Sequence, residues 1–314
     1  MGQTIIIGSG LTGITCARSL ADAGLPVRVL DKGRAVGGRM ATRRVMTGAG
    51  ALSFDHGAQY LRPRTAEFAD VLARTGARPW PDATGAAGHV GVPGMSDIPR
   101  ALGDGLSIQQ NTEVTALARR DGAWHLGTTA GAMQADRVVM TVPAPQAMAL
   151  LGGDHAICAA LAGVSMAPCL ALLVAFPDNS PRPFVSRQDP SHPLAWIAQD
   201  STKPGRTQAA VTWVAQAHRA FSSEHLDATP EEHAARMLPL LAEVLAVDPA
   251  KALHVRAHRW RYAQAETPLG QAFLHSDDRT LYTGGDWCIG PGAEHAWQSG
   301  RAMAQDILEH TDVD

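Results

Sequence analysis

The sequence is poor in cysteine, in net charge and in long apolar runs, and each absence excludes a class of protein. Its four cysteines include no CxxC pair, and neither they nor the 13 histidines show metal-ligand spacing. We therefore predict free thiols, no bound metal and a reducing, cytoplasmic environment. The net charge of −3 gives no reason to expect nucleic acid as a partner, and no apolar run is long enough to predict a membrane span.

Length and composition indicate a globular protein. With 314 residues, 45% of them hydrophobic and 18% charged, the chain is long enough for two domains and too apolar to be disordered. The first residues lead straight into an apolar strand pattern, without the basic region and cleavage site of a signal peptide, which agrees with a cytoplasmic location. The composition predicts no particular oligomeric state.

A βαβ unit opens the chain. Residues 4–7 are a β-branched, buried-strand pattern, and apolar residues then recur at helical spacing over 14–21, with Gly24 placed as a C-terminal cap. A second strand over 27–30 ends at Asp31. This succession is typical of a dinucleotide-binding fold.

A GxGxxG motif lies between the first strand and the helix. Its first glycine permits a tight turn, the second lets the backbone approach a pyrophosphate, and the third lets the helix pack close to the sheet. The helix N-terminal amides would face the phosphates, and the acid after the second strand would bind the ribose hydroxyls. NAD and FAD share this turn, so the motif leaves the choice open. The predicted contacts are Gly8, Gly10, Leu11, Thr12, Gly13 and Asp31.

The rest of the chain alternates between strand and helix patterns. We predict a small β-meander over 111–126, a buried strand over 137–142, and a strand-rich region over 165–265 that a helix interrupts at 230–245. A short strand at 281–283 and a helix from 294 to 309 close the chain. The predicted fold class is α/β, a Rossmann-type parallel sheet with an inserted, mostly antiparallel β (α+β) domain.

A second glycine motif follows Asp31 and distinguishes the cofactors. The segment from Lys32 to Met40 resembles the second glycine motif of the FAD oxidoreductase superfamily that includes monoamine oxidases and phytoene desaturases. The resemblance implies FAD, with the glycines along its pyrophosphate and Arg39 as a cationic fork for phosphate oxygens. The residues assigned to the cofactor here are Lys32, Gly38, Arg39 and Met40.

Two further segments extend this resemblance. Residues 55–60 resemble the superfamily segment beneath the isoalloxazine, and residues 284–287 resemble the late flavin motif, whose helix N-terminus would stabilise a reduced flavin. We expect non-covalent FAD, with Cys288 the one thiol near enough to consider for attachment. The implied cofactor contacts are His56, Gly57, Ala58, Gln59, Val114, Pro143, Gly285, Asp286, Ala296 and Ser299.

Five longer blocks carry a more specific resemblance: 55–60, 195–206, 213–226, 258–263 and 285–287. They are similar to one family, the renalases, especially the short bacterial ones. The resemblance implies hydride transfer to flavin from isomers of NAD(P)H reduced at the wrong ring position, then electron transfer to O₂, which gives NAD(P)⁺ and hydrogen peroxide. A dihydropyridine needs no deprotonation before it loses hydride, which agrees with the lack of an acid–base constellation in the sequence.

The predicted substrate contacts are aromatic or basic side chains. Core packing is the competing interpretation of each tryptophan, since large aromatics on strands are usually buried. His295 stands where the family usually has glycine, so either the last helix lies farther from the flavin or this histidine donates a hydrogen bond to the flavin. The predicted substrate-binding residues are Tyr60, Arg64, Trp196, Trp213, Trp260, Tyr262 and His295.

The order of strand and helix patterns also predicts a domain division, and other functions stay open. A discontinuous FAD-binding domain would comprise residues 1–75, 97–150 and 275–314, and a substrate domain residues 76–96 and 151–274. The alternatives are a flavin amine oxidase, a flavin-binding electron-transfer or regulatory protein without this turnover, and a reductase or desaturase of a larger apolar substrate. We rank the last lowest, because 314 residues leave little room for a lipid-sized cavity.

Overall fold

A computed structural model describes residues 2–48, 50–81, 84–207 and 209–311. Among these residues, nine α-helices are spread along the chain. The helices are α1 (Leu11–Asp22), α2 (Ala66–Arg74), α3 (Asp97–Leu102), α4 (Ala144–Leu151), α5 (Ala156–Leu161), α6 (Arg219–Glu224), α7 (Pro230–Leu245), α8 (Asp286–Ile289) and α9 (Ala293–Glu309). No helix of the described ranges is long and apolar enough to cross a membrane.

Within the described ranges, the strands form five sheets. They are β1 (Thr4–Ile7), β2 (Val27–Leu30), β3 (Thr42–Thr47), β4 (Gly50–Asp55), β5 (Arg78–Pro81), β6 (Ala87–Val90), β7 (Ile108–Gln109), β8 (Val114–Arg120), β9 (Ala123–Thr128), β10 (Gly131–Ala135), β11 (Arg137–Met140), β12 (Ser165–Phe176), β13 (Ser186–Gln188), β14 (Trp196–Gln199), β15 (Val211–Gln216), β16 (His254–Thr267), β17 (Phe273–His275) and β18 (Leu281–Gly284).

The chain divides into two compact units. Unit 1 comprises residues 1–38, 99–166 and 264–314, and unit 2 comprises residues 39–98 and 167–263. Residues 39–75, which the sequence grouped with the FAD-binding domain, therefore pack within unit 2. The functional division into a cofactor and a substrate domain stays a prediction.

Unit 1 contains the predicted Rossmann-type sheet. Its strand order is β17-β18-β11-β1-β2-β7, parallel except for the edge strand β17. Ile6 and Val139 face α1 and α9, whereas Ile5 and Val138 face α4 and the β8–β9–β10 meander. Because both faces are covered, the central strands read as continuous apolar runs. The predicted βαβ unit, meander and final helix are confirmed.

Unit 2 is built on an antiparallel sheet of order β13-β14-β15-β12-β16. Trp213 and Val211 of β15 face α7, while Val214 faces Phe54 of the β3–β4 hairpin. Helix α7 begins at the predicted residue, because Thr229 and Glu232 form a capping box. The inserted, mostly antiparallel domain is thus confirmed.

Candidate active site

The dinucleotide turn in unit 1 has the geometry that its glycines predict. Gly8 has a φ of +111°, and its N–H donates to the carbonyl of Leu30 at 2.8 Å. A Cβ on Gly13 would lie 2.0 Å from the Gly8 carbonyl oxygen, so only glycine permits this approach. Helix α1 follows with Gly10 as N-cap and no side-chain cap. The amides of its first turn, which include those of the buried residues Leu11 and Thr12, have no intrahelical acceptors.

Asp31 fastens this turn from the end of β2. One carboxylate oxygen accepts the Ser9 amide at 2.6 Å and the Ser9 hydroxyl at 2.8 Å, and the other accepts the Gly33 amide at 2.6 Å. Asp31 remains half-buried, and a carboxylate has further lone pairs for ribose hydroxyls. Sequence reasoning missed Ser9, although a hydroxyl inside a glycine turn was a readable signal.

The two glycine motifs lie against each other within unit 1. The Gly37 amide donates to the Ser9 carbonyl at 3.0 Å, and a Cβ on Gly38 would lie 3.4 Å from the Gly10 Cα. Gly37 and Gly38 both have positive φ, at +125° and +51°. Lys32 stays at the surface, where it pairs with Glu113 at 3.7 Å.

The late flavin motif is anchored to α9. The Gly285 amide donates to the Ser299 hydroxyl at 3.0 Å, and that hydroxyl donates to the Ala272 carbonyl at 2.7 Å. Asp286 is buried at the start of α8. A Cβ on Gly300 would lie 2.4 Å from the Thr12 carbonyl, so α9 packs closely on α1. The remaining contacts predicted here are also buried or near helix starts: Val114 begins β8, Pro143 caps α4, and Ala296 lies in the first turn of α9.

His295 turns its ring toward the bend before α9. A Cβ on Gly290 would lie 3.1 Å from His295 Nδ1, and Gly290 has a φ of +157°. This Nδ1 atom is buried without a hydrogen-bond partner among the described residues. A buried ring nitrogen without a partner fits a ligand contact, which stays a prediction.

In unit 2, residues 55–60 are held by contacts along most of their length. The Ala58 amide donates to the Arg39 carbonyl at 2.8 Å, and a Cβ on Gly57 would lie 1.9 Å from that oxygen. The Gln216 side chain donates to the Gly57 carbonyl at 2.6 Å. Arg39 itself donates to the Ala263 carbonyl at 3.0 Å, and its neighbour Met40 is buried. The segment is therefore rigidly supported by its own unit.

The first residue of this segment, Asp55, belongs to a set of four charged side chains, here named the buried ion cluster: Asp55, Asp200, Lys203 and Arg206. The Lys203 ammonium lies 3.0 Å from Asp55 and 2.8 Å from Asp200, and Arg206 lies 2.6 Å from Asp55 and 3.2 Å from Asp200. All four side chains are at most 2% exposed. Two carboxyl groups face two cations, so the cluster is neutral when both carboxyl groups are ionised.

The carboxyl pKa values follow from these contacts. Burial opposes ionisation of Asp55, but Lys203 and Arg206 outweigh it and lower the pKa of Asp55 to about 2. The Thr42 hydroxyl at 2.6 Å and the Met95 amide at 3.0 Å add to this stabilisation of the anion. Burial raises the pKa of Asp200, which shares the same two cations. Asp55 is therefore the firmly ionised partner.

Two histidines and a tryptophan form a second group in unit 2. The His56 ring stacks on Trp260 at 5.2 Å and meets His258 edge-on at 4.6 Å, and the Trp260 N–H donates to the His56 carbonyl at 2.8 Å. Burial, then the neighbouring His258 and Arg43, lower the pKa of His56 to about 3. Burial and nearby arginines lower the pKa of His258 to about 4. Both imidazoles are thus neutral at pH 7.

Acidification should destabilise the protein through these histidines. Their pKa values are about 3 and about 4 in the folded state, against 6.5 for an ordinary histidine, so the unfolded chain binds more protons below that pH. The free energy of unfolding should fall by up to about 1.4 kcal/mol per pH unit for each histidine. The free energy of unfolding, measured with urea at a series of pH values, should fall less steeply between about pH 6.5 and 4.5 for His258→Phe than for wild type. Above that range, the two plots of this free energy against pH should run parallel. Equal slopes would contradict a buried neutral imidazole.

Three aromatic rings, here named the aromatic trio, cluster elsewhere in unit 2. Tyr60, Trp80 and Trp196 have centroid separations of 6.3 to 6.5 Å. The Trp80 N–H donates to the Thr202 hydroxyl at 3.0 Å, and the Arg62 guanidinium lies 5.5 Å from the Tyr60 centroid. The structure thus brings together two predicted substrate residues and adds Trp80, which sequence reasoning missed.

The other predicted substrate residues are not members of this trio. Trp213 is fully buried in the core of unit 2 and meets Phe184 edge-on at 5.3 Å. This is what core packing, the competing interpretation of each tryptophan, predicts. Tyr262 is half-buried on the same strand as Trp260, and Arg64 is exposed before α2. Their roles in substrate binding stay predictions.

One observation in each unit fits a bound FAD. A Cβ on Gly10 would meet nothing within 4 Å, so space is open beside the uncapped first turn of α1. In unit 2, His56 Nδ1 is buried without a hydrogen-bond partner among the described residues, in the segment assigned to the flavin. Burial raises the pKa of the Cys288 thiol to about 12, which disfavours the thiolate needed for covalent attachment.

Comparison with known proteins assigns the family. The model of flavin containing amine oxidoreductases matches residues 80–308, and that of an NAD(P)-binding Rossmann-like domain matches residues 6–75. Renalase of Mus musculus is 26% identical over 319 residues, which cover 91% of this chain and 93% of the relative.

Solved structures share the fold at lower identity. A putrescine oxidase bound to putrescine superposes with a TM-score of 0.75 and 13% identity over 98% of this chain and 99% of that one. Cyclohexylamine oxidase from Brevibacterium oxydans IH-35A gives 0.73 and 13% over the same shares. The chain therefore belongs to the flavin containing amine oxidoreductase family, as a renalase-like, FAD-dependent oxidoreductase.

Proposed function

We propose that this protein is an oxidase of isomeric dihydro-NAD(P), the 2- or 6-dihydro forms, which yields NAD(P)⁺ and hydrogen peroxide. The similarity to renalase over nearly the whole chain supports this assignment. When bound, FAD would supply the hydride acceptor and the route of the electrons to O₂. On the protein side, Gly10, Asp31 and Asp286 in unit 1 would hold the cofactor, and Arg39 stays a predicted cofactor contact.

The similarity to renalase carries the proposal, and the low basicity of two histidines in unit 2 agrees with it. An amine substrate is largely protonated at pH 7 and must lose a proton before oxidation, which favours a nearby base. His56 and His258, with pKa values of about 3 and about 4, are too weakly basic to serve. A dihydropyridine needs no base, so neutral imidazoles and aromatic rings suffice to orient it.

The aromatic trio would bind the planar nicotinamide ring. Trp196 is half-buried and so partly accessible to a ligand, whereas Trp80 is only 2% exposed and its ring centroid lies 6.5 Å from that of Trp196. Trp196→Ala should lower kcat/KM by roughly fivefold to thirtyfold, or about 1–2 kcal/mol, and Trp196→Phe by less. Steady-state kinetics with both variants test this. Equal activity of Trp196→Ala and wild type would remove the trio from the site.

Peroxide release during turnover tests the proposed function. The FAD-loaded protein would be assayed in air with a partly isomerised NADH preparation, with ordinary NADH, and with putrescine and benzylamine. We expect peroxide from the isomerised preparation alone. Peroxide from the amines would instead support a flavin amine oxidase, and none from any substrate would support a carrier or regulatory flavoprotein.

A further inference from the structure

We propose that Lys203 is a positioning residue of the flavin site: from the buried ion cluster, it fixes Gln59 and, through Gln59, the backbone of residues 55–59. This inference rests on the assignment of that segment to the flavin, and it does not depend on the identity of the substrate.

The Lys203 ammonium group has an acceptor for each of its three N–H donors. It lies 3.0 Å from Asp55 Oδ2, 2.8 Å from Asp200 Oδ1 and 3.2 Å from Gln59 Oε1. The side chain is 1% exposed, and the ammonium lies 5.4 Å from the Trp80 ring centroid. Its orientation is therefore fully determined, and it contacts the flavin segment and the aromatic trio at once.

Gln59 transmits this restraint to the backbone. Its amide nitrogen donates to the carbonyls of Asp55 and Gly57, the latter at 3.1 Å, while its oxygen accepts from Lys203. Rotation of the Gln59 amide would break the hydrogen bond to its oxygen together with the two from its nitrogen. One side chain thereby restrains the backbone between β4 and Tyr60.

Energetics favour a positioning role over a purely stabilising one. A buried ion pair commonly gives no more stability than apolar residues of the same size, because desolvation offsets the attraction. What the cluster supplies, and an apolar core would not, is a directed hydrogen bond to Gln59. Within the cluster, the charge of Lys203 is balanced by a carboxylate, because Asp200 and Arg206 are present as well. Lys203 can therefore hold Gln59 without leaving an uncompensated buried charge.

Three variants separate positioning from folding. Gln59→Met removes the link and leaves the cluster intact. The double variant, Asp200→Asn with Lys203→Met, removes one cation and one anion, so that Asp55 and Arg206 stay paired. The combined variant carries all three substitutions. The dissociation constant of FAD would be measured by titrating each apoprotein, with thermal unfolding of the same apoproteins in parallel. Asp200→Asn with Lys203→Leu replaces the double variant if that one does not purify folded.

Non-additivity is the expected result. The single and double variants should each weaken FAD binding by about tenfold, and the combined variant also by about tenfold rather than about a hundredfold. Additive effects, or an unchanged constant in the double variant, would overturn the role of Lys203 while leaving the flavin segment assigned. An unchanged constant in Gln59→Met would overturn both.

Discussion

Replacing Lys203 with methionine should lower the free energy of unfolding by about 3–5 kcal/mol. The substitution keeps the side-chain length but leaves Asp55 and Asp200 opposite Arg206 alone, so a net negative charge stays buried in a cluster that is at most 2% exposed. Urea unfolding of the apoprotein at neutral pH measures the loss. Because this loss of stability arises from an unbalanced buried charge, a second substitution, Asp200→Asn, should restore much of the free energy of unfolding.

The exposed Lys251 supplies the matched control. Lys251→Met makes the same chemical change at the surface and should alter stability by no more than about 0.5 kcal/mol. If Lys203→Met were as stable as this control, or if Asp200→Asn made it worse, the four side chains would not act as a balanced buried cluster.

Two alanine substitutions in the glycine turn should separate cofactor binding from folding. Gly13→Ala places a Cβ 2.0 Å from a backbone oxygen, so the apoprotein should lose about 1–3 kcal/mol of stability along with its FAD affinity. Gly10→Ala meets no protein atom within 4 Å, at a φ of −71° that alanine adopts readily. Its apoprotein should keep its stability or gain slightly, yet bind FAD at least about tenfold more weakly.

Gly153→Ala is the control for Gly10→Ala. A Cβ there also meets nothing within 4 Å, but Gly153 lies outside the nucleotide turn. Thermal unfolding of the apoproteins and titration with FAD should show no loss in either quantity for this variant. Unaltered FAD binding by Gly10→Ala would show that the open space beside α1 does not receive the pyrophosphate.

Elements with strong local signals could be predicted from the sequence. The βαβ unit follows from buried-strand and helix periodicity with a glycine turn between them, and α7 follows from the Thr229 capping box. The β3–β4 hairpin carried no comparable signal, because several of its side chains are partly exposed and do not alternate cleanly. Local patterns also do not reveal which compact unit residues 39–75 join, since that depends on long-range packing.

The candidate site, too, could be predicted from the sequence only in part. The roles of Gly8 and Gly13 lie in the backbone and can be inferred from their spacing alone. The buried ion cluster unites Asp55 with residues 200–206, far away in the sequence, so only the fold reveals it. Trp80 and Trp213 both lie on strands, and only tertiary packing shows that one joins the aromatic trio and the other joins the core.

The most direct test of the proposed substrate is anaerobic reduction of the bound flavin in a single turnover. The FAD-loaded protein would be mixed without oxygen with a partly isomerised NADH preparation, and separately with ordinary NADH and with amines, while the flavin absorbance is followed. We predict rapid bleaching by the isomerised preparation alone, reversed by air with peroxide release. Bleaching by amines, or by none of these compounds, would contradict the assignment of dihydro-NAD(P) isomers as substrates and leave the FAD-dependent fold in place.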